Sequence, residues 1–184
     1  MTIKEAIGKV MVNLDEVTGH DLVLNVEEFE PKMPPLFDSV QREIATVCCQ
    51  IEKWADVEII DETVMLPVDC YEILGLYDND MKHVSYVKKD KTLKVGKRIG
   101  KPELVLHYNA YPKRIDHTTP SDYEFEIDQE AQEAMIFGVC AGICINDEPE
   151  LYDTYMDRYN VILANILQRK QEQPKAAVLG GFRF

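Results

Sequence analysis

The sequence predicts an α+β protein that is mainly α: a helical bundle with an inserted antiparallel β-hairpin or small sheet as an arm. Two observations lead to this prediction. Apolar residues near both ends of the 184-residue chain recur every three and four positions, the spacing of an amphipathic helix. The middle of the chain instead holds short β-prone runs separated by turn residues. We expect one domain over residues 1–173 and a tail over residues 174–184.

Four helices are predicted from the apolar periodicity, at about residues 3–13, 36–54, 129–145 and 149–170. Thr2 and Glu5 have the spacing of a capping box at the start of the first helix. The apolar stripe of the second helix is expected to run as far as Trp54. Pro149 suits the first turn of the last helix.

The third helix is predicted to bury a face rich in small residues. Ala134, Gly138 and Gly142 lie four apart on that face, which is expected to extend to Ile145. Small residues at this spacing let another helix approach closely, although each glycine costs about 1 kcal/mol of helix propensity. Asp128 is the predicted N-cap of this helix.

The β-rich insert is predicted over about residues 57–127. Its first strands are expected in the run VEIIDETVMLPVDCYEILGL, and further strands in VSYVK, TLKV and ELVLHY. The clearest alternation of the whole chain covers residues 122–127, where Tyr123, Phe125 and Ile127 alternate with acidic residues. We therefore expect this segment to belong to the same small antiparallel sheet.

The composition disfavours several classes of protein. A net charge of −13 repels bulk nucleic acid and anionic membranes, and no stretch reaches the roughly 18 apolar residues of a membrane span. The first ten residues lack the apolar core of a signal peptide. The five cysteines are an odd number, which favours free thiols in a reducing compartment over a disulfide framework.

No catalytic, cofactor or metal site is expected from the residue pattern. All cysteines but Cys70 lie in predicted helices, the four histidines are scattered, and no spacing of these residues suits zinc. The run GKRIG at residues 96–100 has the glycines and cations of a phosphate loop but lacks a strand–loop–helix context. The remaining catalytic hypothesis is an unrecognised site around Tyr71, His107 and Asp69.

Charge is strongly segregated along the chain. Between residues 82 and 101 eight cations accompany one acid, Asp90, so this window carries +7 and the rest of the chain −20. Two hypotheses explain this basic window equally well. It is either a solvated hairpin whose lysines protect a strand edge, or a basic arm that contacts nucleic acid or an identical neighbour. The eight cations are Lys82, Lys88, Lys89, Lys91, Lys94, Lys97, Arg98 and Lys101.

Five segments occur in an order that carries a family resemblance. The helix TIKEAIGKVMVNL is followed by the longer helix FDSVQREIATVCCQIEKW, by the strand–turn–strand run VMLPVDCYEILGL and by the extended segment LVLHYNAYP. The helical run EAMIFGVCAGICINDEPELYDTYMDRYNVILANILQRK comes last. Over most of its length the chain thus resembles the head-to-tail connector (adaptor) proteins of tailed bacteriophages.

The resemblance implies a structural virion protein, assembled in the host cytoplasm, without a catalytic residue, a cofactor or a membrane contact. Such proteins form a homo-oligomeric ring, often twelve-fold, between the portal protein and the next tail protein, and they help to retain packaged DNA. DNA would pass the lumen without sequence recognition. Under this resemblance the candidates for contacts between subunits are Lys88, Lys89, Lys91, Lys94, Lys97 and Arg98, and those for docking on the portal are Phe182, Arg183 and Phe184.

The alternative hypothesis is an acidic protein-binding module, such as an inhibitor or immunity protein, that masks a basic partner. It rests on the charge of −20 outside the basic window and predicts tight one-to-one association that weakens with salt. The acidic segment at residues 15–35 departs from the connector pattern and has no assigned role.

Overall fold

The computed structural model describes residues 1–18, 30–96, 103–145 and 148–172. The chain divides into two units, which we call the helical unit (Met1–Val40 with Ile115–Phe184) and the sheet unit (Gln41–Arg114). Of the described residues 47% are helical and 27% are in strands, so the protein is α+β, but the prediction of a mainly α helical bundle is wrong. The physical reason is that residues expected to extend a helix pair with a distant strand and enlarge the arm into a full sheet.

The described residues form four α-helices: α1 (Ile3–Thr18), α2 (Met33–Val47), α3 (Gln129–Cys144) and α4 (Pro149–Glu172), with a 3-10 turn at Glu30–Lys32. The capping box of α1 is confirmed. The Thr2 amide donates to Glu5 Oε2 at 2.9 Å, and the Glu5 amide donates to Thr2 Oγ1 at 3.2 Å. α1 is longer than the periodicity predicts, because it continues to Thr18.

The second helix ends earlier than predicted. α2 stops at Val47 rather than near residue 54, and Ile51–Ile60 form a strand that contains Trp54. The apolar residues of this run fit a helical and an alternating pattern alike, so periodicity alone does not separate the two. Eight consecutive pairings with Glu103–Ala110 select the strand.

The sheet unit is built on six antiparallel strands in the spatial order β3-β6-β1-β2-β5-β4. They are β1 (Ile51–Ile60), β2 (Thr63–Met65), β3 (Cys70–Tyr77), β4 (Tyr86–Lys89), β5 (Thr92–Val95) and β6 (Glu103–Ala110). An isolated bridge between Tyr77 and His83 joins the end of β3 to the segment that leads into β4. The sheet is therefore nearly closed. Its inner face buries Val64, Leu76, Leu93, Val95, Leu104, Leu106, Tyr108 and Ala110.

The turn between β1 and β2 uses two acidic residues in the left-handed backbone region. Asp61 and Glu62 have φ of 49° and 62°, and Ile60 pairs with Thr63 across them. A two-residue turn with both φ values positive matches the right-handed twist of the strands, but it favours Asn-Gly over these residues. The turn therefore sets the hairpin register at some conformational cost.

The segment with the clearest alternation is not a strand of the sheet. Residues Tyr123 to Ile127 lie in the helical unit, where the Ile3 amide donates to the Tyr123 carbonyl at 3.0 Å. Phe125 and Ile127 are buried, and Glu124 and Glu126, which alternate with them, are exposed, so the alternation reflects extended backbone with one buried face. The predicted insert of residues 57–127 is thus wrong at both ends, because the sheet begins at Ile51 and ends at Ala110.

Glycines bring α3 close to α2 within the helical unit. A Cβ added at Gly138 would lie 2.9 Å from Val40 Cγ1, and one at Gly142 would lie 2.9 Å from Leu36 Cδ2. The predicted close approach is confirmed, because even a methyl group would press on the facing helix. Ile145, which was expected on the buried face, is exposed because α3 ends one residue earlier.

Candidate interaction surfaces

The β4–β5 hairpin carries all described cations of the basic window except Lys82. Four of the six predicted subunit-contact residues share it, and all four are exposed: Lys88, Lys89, Lys91 and Lys94. Asp90, in the two-residue turn, has φ of 52°, which a short polar side chain tolerates better than most. The other two predicted residues, Lys97 and Arg98, lie outside the described residues.

The outward face of this hairpin mixes lysine with exposed apolar side chains. Leu93 and Val95 of β5 are buried, so the residues that alternate with them point away from the core. The register places Val87 opposite Lys94 on that outward face. Val87 is 68% exposed, and Met65 on the neighbouring strand β2 is 64% exposed. The hairpin therefore presents both charge and apolar surface to a partner.

A second surface lies on the outward side of β1, β3 and β6. Trp54 stacks on His107 with 3.9 Å between ring centroids and 5° between planes, and its ring centroid lies 5.6 Å from that of Tyr77. Trp54 is nevertheless 52% exposed, so one face of the indole remains open. Glu52 Oε2 lies 3.1 Å from His107 Nε2 and holds the imidazole from its edge.

Tyr77 folds back over a glycine on the same surface. A Cβ at Gly75 would lie 2.5 Å from Tyr77 Oη, so any larger residue would displace the ring. The absence of a side chain at Gly75 therefore leaves room for the Tyr77 ring, which is tilted by 38° relative to the Trp54 ring. Glycine inside a strand often marks such a close approach.

Carboxylates share this surface with the aromatic rings. Their register places them on the same side of the sheet as Trp54, and all five are exposed: Glu52, Asp56, Glu58, Glu72 and Glu103. No lysine or arginine lies on this side among the residues of these three strands, since Lys53 projects from the other side. We call these five carboxylates with Trp54, Tyr77 and His107 the acid–aromatic face.

The Leu66–Asp69 step is held in place by Asp69. Lys53 Nζ donates to Asp69 Oδ2 at 2.8 Å, and the Tyr108 hydroxyl donates to Oδ1 at 3.2 Å. The Tyr111 amide donates to the Asp69 carbonyl at 2.7 Å. Burial, followed by the Asp69 carboxylate, raises the pKa of Tyr108 to about 12. Asp69 thereby ties the connection between β2 and β3 to β1 and β6.

The residues of the catalytic hypothesis do not converge. Asp69 contacts Tyr108, which lies on the side of β6 opposite to its neighbour His107. The Tyr71 hydroxyl donates to the Ala45 carbonyl at 3.2 Å, and burial raises the pKa of Tyr71. Tyr71, His107 and Asp69 thus take part in three separate contacts rather than one cluster.

Burial keeps two cysteine thiols protonated. It raises the pKa of Cys140 to about 12, with a further contribution from Cys144. The pKa of Cys70 is also raised, because burial outweighs the lowering effect of Lys88. The thiolate is the reactive form, so neither Cys140 nor Cys70 is an activated nucleophile at neutral pH.

The described residues hold no group of three or more His, Cys, Asp and Glu side chains that could bind a metal ion. In that same part of the chain, no helix combines the length and apolar character needed to cross a bilayer. One depression of the helical unit, beside Glu5, Lys9 and Glu133, has a volume of about 240 Å³. That is below the roughly 300–1,000 Å³ of typical small-molecule pockets.

Sequence reasoning missed the acid–aromatic face because it placed Trp54 in a helix. The signal for the strand is incomplete: Glu52, Asp56 and Glu58 alternate with Ile51, Ala55, Val57 and Ile59, but Lys53 and Trp54 interrupt the alternation. The proposed docking residues Phe182, Arg183 and Phe184 lie outside the described residues. Most of the acidic segment at residues 15–35 also lies outside the described residues. Of its described parts, residues 15–18 continue α1, and residues 30–35 form the 3-10 turn and the start of α2.

No protein-family model matches this chain, and no curated protein matches its sequence. The likeness to phage connectors therefore rests on the residues and the order of elements in this chain alone.

Proposed function

We propose that this chain is a structural, non-catalytic virion protein that forms the head-to-tail connector ring between the portal and the tail of a tailed bacteriophage. There it helps to retain packaged DNA and offers a docking surface to the next tail protein. The observation that carries the proposal is the separation of surfaces on the sheet unit, one basic and apolar, the other acidic and aromatic. Complementary surfaces on one chain suit a ring of identical subunits.

Two further features support the proposal. The run VMLPVDCYEILGL contributes to the family resemblance and covers β2, the connection that contains Asp69, and β3. Its role in the fold is to tie these two strands to β1 and β6 through Asp69. A net charge of −13 also suits a ring through which DNA slides, because like charge prevents adhesion to the lumen.

The test is the copy number of this polypeptide in purified particles from its source, measured by quantitative mass spectrometry against the major capsid protein. A fixed copy number on the order of a dozen per particle is expected for a symmetric ring. Deleting residues 175–184 should then lower incorporation while the free protein keeps its circular dichroism spectrum. Absence from particles, in cells where the protein is abundant, would overturn the proposal.

A second candidate is the acidic binding module that masks a basic partner. The acid–aromatic face favours it, because five carboxylates around an exposed indole match a basic protein surface. A pull-down from the host lysate at two salt concentrations separates the candidates. Stoichiometric one-to-one capture of a basic protein that is lost at high salt supports the module, whereas capture of portal protein supports the connector.

A further inference from the structure

We propose that the basic β4–β5 hairpin of one copy docks on the acid–aromatic face of a neighbouring copy. This inference rests on the proposed function, because it names the two surfaces through which the subunits of the ring meet. Both surfaces belong to the sheet unit, and both are built entirely from described residues.

The acid–aromatic face has the chemistry of a receptor for lysine or arginine. The open face of Trp54 attracts a cation through its ring quadrupole, an interaction that strengthens as water is excluded. His107 backs the indole from behind at 3.9 Å and keeps the ring plane fixed. The five carboxylates attract the same cation. The described strand residues on this side include no lysine or arginine that would neutralise these carboxylates.

The β4–β5 hairpin has the matching chemistry. Its four exposed lysines outnumber the single acid Asp90, so its charge is opposite to that of the face. Val87 and Met65 add exposed apolar surface beside Lys94, and an indole can cover such surface while it binds the ammonium group. The contact would therefore bury apolar area as well as pair charges.

A second copy is the occupant that these observations favour. The complementary surfaces are present on every chain, so each subunit that accepts a hairpin also offers one. The two surfaces lie on different strands, so each subunit can give its hairpin to the next subunit and accept one from the previous subunit, which is a heterologous contact. Heterologous contacts close into rings or extend as filaments, in agreement with a ring-forming protein.

The first experiment measures self-association of the full-length chain by sedimentation velocity at low and high salt. Association should weaken as salt rises, because the paired charges are screened. Trp54 is the only tryptophan, so its emission reports directly on the proposed contact. It should shift to shorter wavelength as the protein concentration rises and the indole loses water.

Charge reversal identifies the two surfaces. The hairpin variant Lys89→Glu/Lys94→Glu and the face variant Asp56→Lys/Glu58→Lys should each associate on the order of 100-fold more weakly than the wild type, because each places like charges together. An equimolar mixture of the two variants should associate again, since every contact then joins a reversed hairpin to a reversed face or a natural one to a natural one. One chain that carries all four substitutions should associate with itself for the same reason.

A matched control reverses two exposed lysines of α1, Lys4→Glu/Lys9→Glu, and changes the net charge as much as the hairpin variant does. It should sediment as the wild type. A wild type that stays monomeric at low salt, or charge-reversed variants that associate normally, would overturn the inference. The inference would also be overturned if Lys89→Glu/Lys94→Glu abolished binding to a double-stranded DNA oligonucleotide and left self-association unchanged. None of these results changes the particle copy number, so failure of the inference is distinguishable from failure of the proposed function.

Discussion

The helical unit buries two tyrosines of its last helix, whereas the sheet unit leaves the single tryptophan half exposed. In the helical unit Tyr155 and Tyr159 of α4 are buried, and the Tyr155 hydroxyl donates to the Asn13 carbonyl at 2.8 Å. In the sheet unit Trp54 projects outward and is covered on one side only. Most of the large apolar side chains that the described residues expose also belong to the sheet unit: Val47, Trp54, Ile60, Met65, Val68, Leu74, Met81 and Val87.

The two units therefore differ in how much of their apolar surface they leave in water. Removing apolar surface from water contributes about 25 cal/mol per Å² to the free energy of folding. The helical unit obtains this contribution by folding, without a partner molecule. The sheet unit leaves part of its apolar surface in water, where it contributes only when another molecule covers it. We therefore expect substitutions in the helical unit to change folding, and those on the sheet unit's outer surface to change association.

The largest expected effect is the substitution Tyr155→Ala. It removes a fully buried ring and should lower the free energy of unfolding by about 3–5 kcal/mol. Trp54→Ala, an aromatic truncation of similar size, should cost only about 1 kcal/mol, the value of its stacking. Urea denaturation followed by circular dichroism measures both, and equal losses would break the comparison between the units.

The next effect concerns Asp69, the internal contact that stabilises the sheet unit. Asp69→Asn should cost about 1–2 kcal/mol, since the ion pair with Lys53 is partly exposed and the Tyr108 hydroxyl loses a charged acceptor. Asp56→Asn, a carboxylate of the outer surface, is the matched control and should leave stability unchanged. Urea denaturation at pH 7 compares the two, and equal losses would show that Asp69 has no special role.

The same variant should change the titration of Tyr108. Its pKa of about 12 exceeds the ordinary value of 10.0, so the folded state holds this proton more tightly and stability falls as pH rises between these values. Burial is the largest cause of the raised pKa, followed by Asp69 and then Cys70, so Asp69→Asn should lower the pKa of Tyr108 without restoring it to 10.0. Tyrosine NMR resonances followed between pH 9 and 12 measure it, and an unchanged pKa would contradict the assignment.

A smaller effect tests how closely the helical unit is packed. Gly138→Ala should lower stability by about 1 kcal/mol, because the new methyl group would lie 2.9 Å from Val40 Cγ1 and this contact outweighs the gain in helix propensity. Gly8→Ala in α1 is the control, since a Cβ there meets nothing within 4 Å. It should raise stability by about 0.5–1 kcal/mol. Thermal unfolding of both variants should show shifts of opposite sign.

The smallest effect concerns the β1–β2 turn. Replacing Asp61-Glu62 by Asn-Gly should raise stability by about 0.5–1 kcal/mol, because both residues have positive φ and Asn-Gly adopts this turn with less strain. Asn79→Gly, in a turn residue without positive φ, should bring no gain. Denaturation midpoints compare the two, and a loss at the first site would contradict the turn geometry.

Local interactions explain what could be predicted from the sequence. The capping box of Thr2 and Glu5 and the β4–β5 hairpin each depend on residues within a few positions of one another. The stretches of α3 and α4 follow from helical spacing, because helical hydrogen bonds join residues four apart. The candidate lysines were found for the same reason, as neighbours along one short segment.

Local sequence thus predicts the start of α1, the stretches of α3 and α4, the β4–β5 hairpin and the segregation of charge. The fold is needed to show that the run after α2 is a strand, that residues 122–127 belong to the helical unit, and that Trp54 stacks on His107. The physical reason is that strand hydrogen bonds and strand faces are defined by partners far along the chain. An alternating segment becomes part of a sheet only where such a partner pairs with it.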